Sequence, residues 1–320
     1  MGQYIENTLL LEPIRIQVNF GNLCGAACSV KRTAASKSSL CIGQEESGIN
    51  FLYPQALIKQ KYPNQSQNLS YFDMFIWIES GYEYYFPMDY PGKQTSCQYD
   101  FMLILTNRVL HGLGIASSLK WLNSELTIPY PDTNKQLTNF YFTIFDKYIY
   151  MASKNRSLEF YANLLSNLGP IKKRSGKDIS TQVYSYSHIR IFKALNDITN
   201  HSPYFKASTN VEVDSLILGL GQNSGLIIHN AHEDTEDEAI SPYIRRGTGI
   251  HQFFNSDKRW ITSPFGPKTL DVLATLGYRI NPNPVYERSM EYDYAKFTQL
   301  TPAAKDDVFF RFFLFRLICI

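Results

Sequence analysis

Residues 100–118, DFMLILTNRVLHGLGIASS, constrain the fold more than any other stretch of this 320-residue chain. Phe101, Ile104 and Leu105 fall at i, i+3 and i+4, which predicts a buried helix over residues 98–111. Glycines follow directly, as is typical of a helix that ends by turning through a left-handed conformation. Other elements of the chain must therefore pack around this helix.

Polar residues of the helix lie at the spacing of the zinc-peptidase motif HExxHxxG. In that motif two histidines at i and i+4 share one helix face and bind Zn²⁺, and the intervening glutamate is the general base. Here Asn107 stands at the first histidine and Arg108 at the general-base position. His111 is the second histidine and Gly114 the glycine. Taken alone, His111 before glycine indicates a C-terminal cap with the imidazole near the helix dipole.

Three blocks of the sequence resemble secreted, largely fungal zincin-type metallopeptidases of the leishmanolysin or metzincin kind. They are LYPQALIKQ at 52–60, HGLGIASS at 111–118 and PFGPKTLDVLATLGY at 264–278, in the order expected for that family. The resemblance covers residues 12–285. It implies an α+β, zincin-like domain in which a mixed sheet packs on the active-site helix and the C-terminal region is helical.

Length and resemblance together indicate one zincin-like domain over residues 1–285, with an N-terminal half at 1–118 and a C-terminal half at 119–285. Residues 286–320 form a divergent hydrophobic tail. No apolar run approaches about 18 residues, so no membrane span is predicted. The formal charge of +2 gives no electrostatic argument for a nucleic-acid partner.

The resemblance also implies a third zinc ligand, a histidine well downstream of the helix in an S-H-x-[DE] setting. The AHED run at 231–234 makes His232 the expected ligand and His229 the alternate. An equally open interpretation is a solvated acidic loop, because clustered Glu and Asp usually lie on the surface. The family's Met-containing turn corresponds to residues 241–247, SPYIRRG, which lack methionine.

Cysteine usage and the N-terminus bear on localisation. Cys24, Cys28, Cys41 and Cys97 could form two disulfides in an oxidising compartment, and their pairing is open. The resemblance implies an extracellular protein. The residues after Met1, however, show neither a basic start nor an apolar core, so no signal peptide is predicted.

The remaining elements are predicted from periodicity and turn residues. We expect strands at 13–20, 72–78, 82–86 and 211–218, helices at 157–168 and 264–278, a loop at 21–48, a short helix or strand at 52–61, a strand or helix start at 140–151, and a strand followed by a helical turn at 182–194.

These patterns predict a catalytically inactive homologue of a zinc metallopeptidase that binds peptides or protein partners in the old cleft. Zinc peptidases need a held metal, an activated water and a carboxylate. Asparagine is a poor zinc ligand, and an arginine at the general-base position carries the opposite charge. Two alternatives remain. One is an active zinc-dependent hydrolase with a non-standard ligand set, using Glu233 or Glu236; the other is a divergent gene product without selected function. Zinc is the cofactor that the resemblance implies.

Overall fold

The computed structural model describes residues 14–23, 33–45, 47–62, 69–86, 94–122, 126–133, 137–151, 156–172, 184–199, 204–207, 216–220, 226–228, 244–247 and 267–280. Over these residues the chain is a mixed α+β protein with short strands in several small sheets and six helices. The predicted α+β class is therefore confirmed.

The helices are α1 (Gln55–Lys61), α2 (Phe101–Gly112), α3 (Ile144–Lys147), α4 (Leu158–Leu168), α5 (Tyr186–Thr199) and α6 (Pro267–Leu276). The strands are β1 (Ile16–Gly21), β2 (Ala34–Ser38), β3 (Leu40–Gln44), β4 (Asn50–Pro54), β5 (Met74–Glu79), β6 (Tyr84–Tyr85), β7 (Tyr99–Asp100), β8 (Lys120–Leu122), β9 (Leu126–Ile128), β10 (Tyr130–Thr133), β11 (Leu137–Thr143), β12 (Ile149–Met151), β13 (Arg156–Ser157), β14 (Ile171–Lys172), β15 (Tyr204–Phe205), β16 (Leu216–Leu220) and β17 (Leu226–Ile228).

The first sheet has three strands in the order β1-β5-β2 and carries α2 on one face. Strand β1 runs parallel to β5, and β2 runs antiparallel to it. Alternate residues of β5, namely Met74, Ile76 and Ile78, are fully buried on the helix side. Phe75 and Trp77 point to the opposite face, where they are half-buried and stack at 6.0 Å. The alternation in β5 thus fixes which face of the sheet receives the helix.

The second sheet has the order β10-β11-β4-β3, with β14 also paired to β11. Its two central strands, β4 and β11, are parallel, and each runs directly into a helix, α1 or α3. A third, antiparallel sheet has the order β13-β12-β15-β16-β17, and the pairs β6-β7 and β8-β9 complete the strands described. Helices α1 and α3 therefore start from the same end of the second sheet.

Several predicted elements are confirmed with small shifts of their ends. The strands predicted at 13–20 and 72–78 are β1 and β5. The helix predicted at 157–168 is α4, and α6 begins at Pro267 within 264–278 as predicted. The strand predicted at 211–218 overlaps β16, although residues 208–215 lie outside the described ranges.

Two predictions were wrong because distant pairing or a cap outweighed local pattern. The loop predicted at 21–48 contains β2 and β3, which form because they pair with β5 and β4. The strand predicted to begin 182–194 is replaced over the described residues by helix α5. Ser185 stabilises its start, because its Oγ accepts a hydrogen bond from the backbone N–H of His188 at 3.3 Å.

Two further segments combine elements that the sequence left as alternatives, and a third holds a shorter strand than predicted. Residues 52–61 hold the end of β4 followed by α1, and 140–151 hold the end of β11, then α3, then β12. Within 82–86 only Tyr84–Tyr85 form a strand, which pairs in parallel with β7.

Candidate functional site

Helix α2 begins at Phe101, not at residue 98 as predicted, because Asp100 caps it. The buried Asp100 side chain accepts a hydrogen bond from the backbone N–H of Leu103 at 2.9 Å. The Phe101 ring stacks on Phe20 of β1 at 5.8 Å and packs against Phe86 at 4.8 Å. The cap and the aromatic contacts hold the start of the helix on the first sheet, and the predicted packing of this helix on a sheet is confirmed.

Gly112 brings the other end of α2 close to the same sheet. A Cβ at this position would overlap the side chain of Met74 in β5. The Ser38 hydroxyl in β2 donates a hydrogen bond to the Gly112 carbonyl at 2.9 Å. A larger residue here would force the fully buried Met74 side chain to move.

The helix ends in a Schellman motif, so the cap interpretation of the His-Gly-Leu-Gly run is correct. Gly114 has a φ of 109°, a left-handed conformation that favours glycine. Its N–H donates to the His111 carbonyl at 3.1 Å, and the Ile115 N–H donates to the Leu110 carbonyl at 3.2 Å. These two bonds satisfy carbonyls that the end of the helix would otherwise leave unpaired.

The three sequence blocks behind the family resemblance meet in space around α1. A Cβ on Gly114 would lie 2.6 Å from Pro54 Cγ and 3.8 Å from Leu276 Cδ1. Helix α6 ends in the same kind of turn at Gly277, with a φ of 108°, and a Cβ there would lie 2.9 Å from Lys61 Cε. The turns that end α2 and α6 thus contact the two ends of α1, at Pro54 and Lys61.

His111 is held as a neutral imidazole with a defined tautomer. Its Nδ1 lies 2.8 Å from the Ile115 carbonyl oxygen, which can only accept, so Nδ1 carries the hydrogen. Burial, and then the positive charge of Arg108, lower the pKa of His111 to about 3, although the bond to Ile115 acts in the opposite direction. Among zinc enzymes, a backbone carbonyl at one ring nitrogen orients the other nitrogen toward its ligand.

This neutral histidine should make the fold sensitive to acid. The pKa of His111 is about 3 in the folded chain and 6.5 by reference when unfolded, so the unfolded chain binds the proton first. Its stabilising contribution is present above pH 6.5 and is lost as the pH falls toward 3. Between pH 7 and pH 5 the wild type should lose about 2 kcal/mol more unfolding free energy than His111→Gln. Urea denaturation of both proteins at the two pH values measures this difference, and equal losses would contradict the assigned protonation state.

The other two motif positions differ in exposure. Asn107, at the position where the zinc-peptidase motif has its first histidine, is completely buried, whereas Arg108 and His111 are each partly exposed. Asn107 and His111 are four residues apart and share one side of α2. The partly exposed groups of the motif are therefore a permanent cation and a neutral imidazole.

The serines that follow the helix are anchored by a buried carboxylate that the sequence interpretation missed. Asp146 in α3 accepts hydrogen bonds from the Ser117 hydroxyl at 2.5 Å and from the Ser118 N–H and hydroxyl at 2.9 and 2.6 Å. The Thr143 N–H and hydroxyl also donate to it, both at 2.9 Å. Burial raises the pKa of Asp146, and these hydrogen bonds act against the rise. The T-x-x-D spacing of a capping box was the available signal.

A second feature that the sequence interpretation missed is a buried ion pair between α1 and the residue before β5. Lys59 Nζ lies 2.9 Å from Asp73 Oδ2, with both side chains almost fully enclosed. Asp73 also accepts from the Gln55 side-chain amide at 2.7 Å and from the Arg15 backbone N–H at 2.6 Å. Both Gln55 and Lys59 belong to the LYPQALIKQ block, so that block supplies internal hydrogen bonding.

The structure leaves the downstream histidines predicted as zinc ligands outside the residues that it describes. His229 and His232 lie outside the described residues. Within the described ranges, no group of three or more His, Cys, Asp or Glu side chains is arranged to hold a metal ion. Cys24 and Cys28 also lie outside the described residues. Cys41 and Cys97 are free thiols, so neither of these two forms a disulfide.

Residues 244–247, the described part of the segment predicted to replace the Met-turn, contact the start of α2 rather than its His111 end. The Gly247 N–H donates to the Gln98 carbonyl at 2.8 Å, just before α2. The Arg246 guanidinium lies over the rings of Tyr99, at 5.2 Å, and Tyr82, at 5.6 Å. At 1.5 Å per residue, this contact is roughly 15 Å along the helix from His111.

Comparison with known protein families gives a match over most of the chain. A family model described as SPBPB7E8-like matches residues 2–295, and that description names no activity, substrate or cofactor. No curated protein and no solved structure has significant similarity to the chain. Within the described residues, no helix is both long and apolar enough to cross a membrane.

Proposed function

The chain belongs to the SPBPB7E8-like family, and we propose that it is a zincin-like domain that binds peptides without cleaving them. The single observation that carries this proposal is the pair of partly exposed groups on α2. His111 has its Nδ1 bonded to the Ile115 carbonyl, an arrangement that also orients histidine ligands of zinc. Arg108 places a permanent positive charge beside it, where a zinc peptidase has its general base.

The motif residues on α2 do not fit a zinc ion. They offer one imidazole, one fully buried amide and one cation that would repel the metal. Loss of the carboxylate alone removes general-base assistance worth about 10²–10⁴ in rate. Both arguments favour a binding protein over a hydrolase, and the family resemblance suggests that the ligand is a peptide or a protein segment.

The test is retention without turnover. Purified full-length protein is incubated with a defined library of synthetic decapeptides, and bound and free peptides are quantified by mass spectrometry with and without added zinc or chelator. We expect reproducible enrichment of a subset of peptides, no cleavage products, and no effect of zinc or chelator. Chelator-sensitive cleavage would replace this proposal by an active zinc hydrolase with other ligands.

Restoring the motif tests the zincin relationship itself. In Asn107→His with Arg108→Glu, an imidazole replaces a poor ligand and a carboxylate replaces the repelling cation. We expect the double variant to bind zinc at least tenfold more tightly than the wild type in calorimetric titration. Circular dichroism of both proteins controls for folding, because Asn107 is fully buried. Equal, negligible binding by two folded proteins would mean that neither His229 nor His232 reaches α2.

A further inference from the structure

The two partly exposed groups on α2 have opposite and fixed hydrogen-bonding roles. His111 Nδ1–H is used by the Ile115 carbonyl at 2.8 Å, so Nε2 of the neutral ring carries a lone pair and can only accept. Among the residues that the structure describes, none hydrogen-bonds to Nε2. A ligand that approaches this nitrogen must therefore bring a donor.

Arg108 has the complementary role. Its guanidinium has several N–H donors, no acceptor, and a charge that it retains at every accessible pH. It lies close enough to His111 for its charge to act on the imidazole, and it is partly exposed. Because a guanidinium carries five donors, it can serve a ligand in addition to contacts within the chain. An obligate donor thus stands beside an obligate acceptor.

We infer that this pair binds the main chain of an extended peptide, with Arg108 donating to the carbonyl and His111 Nε2 accepting from the N–H of the same residue. In an extended strand these two groups of one residue point to the same side, as they do in an antiparallel ladder. A carboxylate fits less well, because it offers only acceptors and would set its lone pairs against that of Nε2. The inference rests on the proposed function and names the ligand group that the site takes.

The pairing also explains why arginine at the general-base position is compatible with binding. In an active zinc peptidase the metal polarises the substrate carbonyl. Here the Arg108 guanidinium presents positive charge to a carbonyl oxygen without activating water. Nothing in the arrangement moves a proton, since Arg108 cannot be deprotonated and His111 is held neutral.

The test uses matched small probes and the His111 nitrogen resonance. The full-length protein is labelled with ¹⁵N-histidine, and the His111 signals are assigned by their loss in His111→Gln. N-acetylalanine N-methylamide, which has the required N–H and carbonyl on one residue, is titrated in. O-acetyl-lactic acid N-methylamide, in which oxygen replaces that N–H, is the matched probe, and sodium acetate is the anionic probe.

We expect the amide probe to shift the His111 Nε2 resonance in the direction of hydrogen-bond acceptance. The ester probe should bind at least about tenfold more weakly. Arg108→Met should also weaken binding of the amide probe by about tenfold. Arg190→Met, which changes an exposed arginine on α5, is the matched control and should leave the titration unchanged.

Three outcomes would overturn the inference: equal responses to amide and ester, a stronger response to acetate with protonation of Nε2, or no response to any probe. The decapeptide library separates this inference from the proposed function. If Arg108→Met retains the same peptides as the wild type, the protein binds peptides elsewhere and only the inference fails. If no peptide is retained by the wild type, the proposed function fails.

Discussion

Replacing Asp146 by alanine should destabilise the protein by about 3–5 kcal/mol. The carboxylate is fully buried and accepts hydrogen bonds from the backbone N–H groups of Ser118 and Thr143 and from nearby hydroxyls. Alanine leaves these donors without their acceptor, at about 1–3 kcal/mol for each buried group. Urea unfolding at pH 7 measures the loss.

Asp146→Asn is the informative control, because four of the five donors reach the same oxygen, Oδ2. An asparagine oxygen can occupy that position, and its NH₂ group can donate to the Ser117 hydroxyl in place of Oδ1. Burial disfavours the charged form of Asp146 and raises its pKa, and a neutral asparagine does not carry that desolvation cost. We expect asparagine to cost no more than about 1 kcal/mol. If asparagine and alanine cost the same, the hydrogen-bond account of this residue is wrong.

Lys59→Met should lower the free energy of unfolding by about 3–5 kcal/mol, because it leaves the buried charge of Asp73 without its lysine partner. Methionine has nearly the length of the lysine stem, so lost packing contributes little. Lys193→Met, on the exposed side of α5, should change stability by no more than about 0.5 kcal/mol. Thermal and urea unfolding of the three proteins give the comparison.

The double variant Lys59→Met with Asp73→Asn tests whether charge is the cause. Removing the second charge should recover about 1 kcal/mol relative to Lys59→Met. The asparagine oxygen would still accept from the Arg15 N–H, although its NH₂ group would then face the Gln55 amide, which is also a donor. Asp73→Asn alone, measured in the same way, completes the double-mutant cycle. Strict additivity of Lys59→Met and Asp73→Asn would show that the two residues are not coupled, and would contradict the ion-pair assignment.

Local chemistry accounts for what the sequence predicted well. The periodic apolar residues of α2 and α4 and the glycines at the ends of α2 and α6 each act within one or two turns of chain. Capping and left-handed glycine geometry depend on neighbouring residues alone. The α+β class and the placement of α2 on a sheet followed from the same signals and the resemblance.

Features that depend on distant partners could not be predicted in this way. Strand β2, with the sequence AASKS, has no alternating pattern, and it forms because β5 offers an open edge. Lys59 and Asp73 are 14 residues apart in the sequence, so nothing local showed that their charges meet. Residues 244–247 followed the expected order along the chain yet contact the start of α2, because order does not determine position.

The length of α1 is constrained, because the glycines that end α2 and α6 contact the residues at its two ends. Pro54, just before it, lies under Gly114, and Lys61, its last residue, lies under Gly277. One residue more or less in α1 would shift one end by about 1.5 Å and rotate it by about 100°. Gly114 could then not keep its close approach to the Pro54 ring, and the Lys61 side chain would have to move to stay next to Gly277. Point substitutions on the surface of this region are therefore easier to accommodate than any change in the number of residues.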